Sequence, residues 1–108
     1  MMYQSKLKSA SLERFFHALD QLHTVEEYYR FFDDVCTVSE LQAIAQRLEV
    51  AEMLAHDETY MHIAEKTGAS TATISRVKKC LNYGADGYRI VLDRMNDKKG
   101  ESSSETDA

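Results

Sequence analysis

Tyr60-Met61-His62-Ile63-Ala64-Glu65-Lys66-Thr67, then Gly68-Ala69, then Ser70-Thr71-Ala72-Thr73-Ile74-Ser75-Arg76-Val77-Lys78-Lys79-Cys80-Leu81: this stretch reads as a helix-turn-helix over residues 60–81. Two helices crossing steeply need a small residue at the contact, and Ala64 supplies it. The chain then reverses through a positive φ, which Gly68 accepts at little cost. Ser70 is placed to cap the second helix. Ile63, Ala69, Ile74 and Val77 fall at inward positions. The outer face is left with Thr71, Ala72, Ser75, Lys78 and Lys79, the small, hydroxylic and cationic groups a helix needs against base edges and phosphates. An ordinary helical hairpin shares the helix–glycine–helix outline, but not the agreement of Ala, Gly and the apolar positions at these offsets. Thr67 stands where an apolar side chain is usual.

The rest of the chain reads as helix too. It has 108 residues, four glycines and no proline, a composition that predicts an all-α protein. No run of 18 or more apolar residues is present, so no membrane span is expected, and residues 1–10 lack the apolar core of a secretory signal. Cys36 and Cys80 are therefore expected to be free, buried thiols in a reducing cytoplasm.

The formal charge of −5 is unevenly spread. Residues 60–95 carry six basic and three acidic side chains, whereas residues 1–59 carry five basic and eleven acidic ones. Such asymmetry would orient the molecule on a polyanion; solvated helix faces give the same counts, so charge alone does not decide.

Toward the N-terminus, Leu12, Phe15, Phe16, Leu19 and Leu22 make one stripe on a helix from about Ser11. Thr24 and Glu27 form a capping box for a second helix, with its stripe at Val25, Tyr28, Tyr29, Phe32, Val35 and Cys36 and with Phe31 off it. A third helix, capped at Thr37 or Ser39, runs to about Ala55. It carries two apolar rows, Leu41, Ile44, Leu48, Ala51, Ala55 and Ala43, Val50, Met53, Leu54. A helix apolar on two sides must be covered on both, which points to a homodimer with interlocking N-terminal helices. After residues 60–81 the chain stops at Asn82-Tyr83-Gly84, with Gly84 as a C′ residue. Asp86 caps a last helix, Gly87 to Met95, with Tyr88, Val91, Leu92 and Met95 inward. Residues 96–108 read as a disordered polar tail. The expected organisation is one domain over 1–95.

From Thr37 to Leu81 the sequence resembles the Trp repressor family, and within it the Trp-repressor-related proteins of Gram-positive bacteria. The resemblance rests on Gly68-Ala69-Ser70-Thr71-Ala72-Thr73-Ile74-Ser75-Arg76 and, in the third helix, on Thr37, Glu40, Ala43, Arg47 and the run from Leu48 to Leu54. It implies a six-helix, all-α fold in an intertwined dimer whose two reading heads lie about one DNA turn apart, roughly 34 Å, on a near-palindromic site. It makes double-stranded DNA the expected partner, with Ser70, Thr71, Ala72, Thr73, Ser75, Arg76, Lys78 and Lys79 as DNA-binding residues. It also implies an effector pocket in which Arg47 and Arg76 would sandwich a planar ligand. The family has a glycine after the second arginine; here Val77 occupies that space, which counts against tryptophan as co-repressor. The segment before the reading head is one residue shorter as well. Either a different small-molecule effector or none is expected, and Arg47 and Arg76 have a structural reading as an ion pair and a phosphate contact. Met61 and Ala64 stand where the family has basic side chains for DNA.

Other chemistry has little support. His17, His23, His56 and His62 lack the Cys or carboxylate partners of a tetrahedral metal site. No phosphate loop, nucleophile elbow or paired catalytic carboxylates are present, so neither a cofactor nor an enzyme activity is expected. Two alternatives to a gated regulator stay open: a protein-interaction module on the same fold, and a constitutive DNA-binding protein without effector.

Overall fold

The computed structural model describes residues 3–105, with side chains through residue 97. Its elements are α1 (Ala10–Leu19), α2 (Val25–Val35), α3 (Val38–Ala55), α4 (Tyr60–Thr67), α5 (Thr71–Tyr83) and α6 (Gly87–Glu105). Among the described residues the fold is thus all-α, as the composition predicts, with the six helices that the resemblance implies. The chain divides into two compact units, residues 1–38 and 39–108.

In the first unit, Ser9 caps α1 by accepting the Leu12 N–H at 3.1 Å, and Thr24 caps α2 by accepting the Glu27 N–H at 3.1 Å. Glu27 reaches back, but to the N–H of His23 at 2.7 Å, one residue before the cap. Helix α1 stops at Leu19, and Leu22, expected on its stripe, lies past the helix end and is half-buried like Leu12, Phe15 and Leu19. Phe31, expected off the stripe, meets Phe15 with ring centroids 6.1 Å apart and stands edge-on to Phe32. No residue of α1 or α2 is buried, and Val25, Tyr29 and Val35 of the expected stripe are exposed.

In the second unit, Val50, Ala51, Met53, Ile63, Ala69, Ile74, Val77 and Leu92 form one core cluster. The four inward positions of the helix-turn-helix all belong to it, with Ile63 and Ile74 fully buried. Only the C-terminal part of α3 is buried. Ile44, on the same row as buried Ala51 but two turns earlier, is 54% exposed. On α6 the burial narrows to Leu92, with Tyr88 half-buried, while Val91 and Met95, expected inward, are exposed.

Helix α3 ends in a paired closure: the Glu58 N–H donates to the Met53 carbonyl at 3.2 Å and the Asp57 N–H to Leu54 at 3.0 Å. That pattern puts the penultimate residue in the left-handed region, and Asp57 has φ 60. Gly84 ends α5 differently from the expectation. Its φ is −87, so no left-handed turn is needed; instead, a Cβ there would run into the Cys80 carbonyl. Asp86 stands before α6 with φ 67, and its carbonyl accepts the Ile90 N–H at 2.9 Å. The last helix continues to Glu105 rather than ending at Met95. Residues 96–105 contain no proline, and a polar surface does not itself interrupt the backbone ladder. Residues 106–108 of the expected tail lie outside the described residues. No helix among the described residues is long and apolar enough to cross a membrane.

Candidate nucleic-acid interface

The helix-turn-helix is locked from three sides. Gly68 takes φ 77, and its N–H closes α4 on the Ala64 carbonyl at 2.9 Å. Thr67 uses its hydroxyl twice, donating to the Ile63 carbonyl at 2.8 Å and accepting the Ala69 N–H at 3.1 Å. This explains a polar residue where an apolar one is usual: the hydroxyl serves the backbone of the turn. From α3, the Gln46 side-chain amide donates to the Thr67 carbonyl at 3.0 Å. A bound carbonyl at a helix C-terminus is one fewer orphan acceptor, and this bond joins the helix-turn-helix to the long helix.

Helix α5 begins at Ser70, whose hydroxyl accepts the Thr73 N–H and donates to Thr73 Oγ1, each at 3.1 Å. Ser70 and Thr73 therefore spend their hydroxyls on each other and on the cap, and Thr73 is half-buried. Thr71, Ala72, Ser75, Arg76 and Lys79 are exposed on one face of α5, opposite buried Ile74, Val77 and Leu81. Lys78 is exposed but turns back: its Nζ lies 5.6 Å from the ring centroid of Tyr60, the first residue of α4. At the far end, Arg89 of α6 donates through Nε to the Leu81 carbonyl at 3.3 Å and through Nη2 to Asn82 Oδ1 at 3.5 Å, capping α5.

Arg47 and Arg76 are both exposed. Arg47 acts on the Tyr88 phenol. Burial raises the pKa of Tyr88, the nearby Cys80 thiol raises it further, and the Arg47 guanidinium works in the opposite direction. Val77 is 2% exposed, inside the core cluster. Cys36 and Cys80 are free, but Cys36 is half-buried and Cys80 exposed, against the expectation of two buried thiols. Cys80 follows Arg76 by one helical turn, which turns it out beside the exposed face rather than inward with Leu81. His62 pairs with Glu58, Nε2 to Oε1 at 2.9 Å. No group of three or more His, Cys, Asp or Glu among the described residues is arranged to hold a metal ion.

The family model for Trp repressor protein matches residues 10–96 of this chain. The chain belongs to the Trp repressor family. YerC, an uncharacterized protein of Bacillus subtilis (strain 168), is 54% identical over 103 residues, 95% of this chain and 99% of YerC. Two solved structures of Trp-repressor type share the fold. A candidate Trp repressor from Staphylococcus aureus superposes with a TM-score of 0.81 at 51% identity, over 89% of this chain and 96% of its own. A TrpR-like protein from Eubacterium eligens ATCC 27750 gives a TM-score of 0.81 at 54% identity, over 84% and 94%. Within this Trp-repressor fold, the sequence missed Gln46, Tyr60 and Arg89. Gln46 interrupts the apolar rows of α3 beside Arg47, the one signal that was present. Nothing local marked Arg89.

Proposed function

We propose that the protein is a sequence-specific, repressor-like DNA-binding transcription regulator that acts as a homodimer. The reading rests on the face of α5, where Thr71, Ala72 and Ser75 are exposed together with Arg76 and Lys79 and none of the cations is in an ion pair among the described residues. Thr71, Ala72 and Ser75 meet base edges. Arg76, Lys78 and Lys79 hold phosphates, with Lys78 leaving Tyr60 to do so, and the first turn of α5 presents the backbone N–H groups that the Ser70 cap does not take. Lys79→Ala is expected to weaken all sequences alike and to lower the salt slope of binding by about one unit per reading head, about two per dimer. Unchanged affinity and slope would remove α5 from the interface.

The homodimer is supported by what one chain leaves uncovered. Phe16 is 55% exposed, Tyr29 66% and Ile44 54%, and a two-helix unit with no buried residue is too small to make its own core. A second copy supplies the missing cover, and residues 1–95 then act as one domain. Tryptophan is not the proposed effector, because buried Val77 stands where the family has glycine. Regulation by another small molecule, or constitutive binding, separates on whether any ligand raises the melting temperature. A protein-interaction module is the second reading, favoured by Met61 at 73% and Tyr83 at 84% exposure on the two helices of the reading head; a stoichiometric protein partner without enrichment of any DNA fragment would establish it.

A further inference from the structure

Within residues 39–108, a cleft of about 310 Å³ opens where the end of α3, the start of α4, the second half of α5 and α6 meet. That volume is at the lower end of small-ligand sites. Leu54 and Leu81 give it an apolar floor, and its walls carry charge of both signs: Asp57 and Glu58 from the α3–α4 loop, Lys78 and Arg89 from the helices. Opposite charges gathered in one place ordinarily close on each other. These do not. No ion pair within 4.0 Å joins either cation to either carboxylate among the described residues. Lys78 rests on the Tyr60 ring, a weak contact at an exposed site. Arg89 spends two donors on the end of α5 and keeps the rest of its five. Glu58 is held by His62. Asp57 is fixed by the left-handed backbone that closes α3, not by a counter-charge.

Two cations and one uncommitted carboxylate therefore line a space the size of one small molecule. A simple anion would satisfy Lys78 and Arg89 but meet Asp57. A simple cation would meet the reverse. A molecule bearing an ammonium group and two acidic charges matches the balance, with the Tyr60 ring at hand for its carbon skeleton. We infer that this cleft binds a small zwitterionic metabolite of net negative charge, its acidic groups on Lys78 and Arg89 and its ammonium on Asp57. Arg47, Arg76 and Val77 do not line it, and the inference does not depend on DNA binding.

Amide spectra of the ¹⁵N-labelled full chain, titrated with O-phospho-L-serine, L-glutamate and glutarate, test it. Glutarate is glutamate without its ammonium group. The expected result is saturable shifts at Asp57, Tyr60, Lys78 and Asn82 with at least one of the two zwitterions, with a Kd of about 1 mM or tighter, and weaker binding of glutarate. Asp57→Asn should abolish the preference for glutamate over glutarate, and Lys78→Gln should weaken both zwitterions about tenfold, each with an unchanged melting profile in the free protein. Absence of saturable shifts with both zwitterions, equal binding of glutarate, or shifts confined to Arg47 and Arg76 would each overturn the proposal.

Discussion

The Gln46 side-chain amide donates to the Thr67 carbonyl at 3.0 Å, joining α3 to the last residue of α4 across 21 positions of sequence. Thr67 in turn holds Ile63 and Ala69 through its hydroxyl. The helix-turn-helix is therefore held against the long helix by a polar chain as well as by the core beneath it. Gln46→Leu should cost about 1 kcal/mol of stability, the net worth of one such hydrogen bond, and chemical denaturation measures it. A change near zero would mean the bond does not hold the head.

Thr67→Val separates the two views of that position. If the slot prefers an apolar side chain, the variant gains stability. The hydrogen bonds predict the opposite, a loss of about 1–2 kcal/mol, because valine leaves the half-buried Ala69 N–H without its acceptor. Melting of the variant beside the parent chain decides between them.

Asp57→Gly should stabilise the free protein by up to about 1 kcal/mol, since glycine occupies the left-handed position at φ 60 without a Cβ penalty. The same variant should lose the preference for glutamate over glutarate in the cleft. A stability gain together with a binding loss separates the two roles of this residue, one of backbone and one of charge.

Tyr88 gives a pH signature. Burial raises its pKa above the ordinary 10.0, so the folded chain holds the phenolic proton after the unfolded chain has begun to release it. The associated stability is full below pH 10.0 and falls as pH rises through the higher folded value. Denaturation series on either side of this range should show a steeper alkaline fall for the parent chain than for Tyr88→Phe. Parallel curves would contradict the burial of this phenol.

The parts of the fold that repeat a local rule were legible in the sequence. Ile63, Ala69, Ile74 and Val77 were placed inward by spacing, and Ser70 and Thr24 were identified as caps by residue type and offset. The parts set by distant partners were not. Gln46 bonds to a carbonyl, and a carbonyl carries no residue identity for a sequence pattern to find. Lys78 is exposed, as its place beside Lys79 predicts, but its contact with Tyr60 comes from another helix, which spacing does not name. Periodicity located the apolar stripe of α2 but not what covers it, so Tyr29 and Val35 stand exposed while Phe31 meets Phe15. Gly84 was expected for its φ and is needed for space.

The most direct test of DNA reading by α5 is selection of genomic fragments by the purified full-length protein, beside a Thr71→Asp, Lys79→Ala variant. Enrichment of near-palindromic sites with half-sites about one helical turn apart, lost in the variant while its melting profile is kept, is the predicted result. Absence of any enriched fragment, or the same enrichment by both proteins, would contradict it.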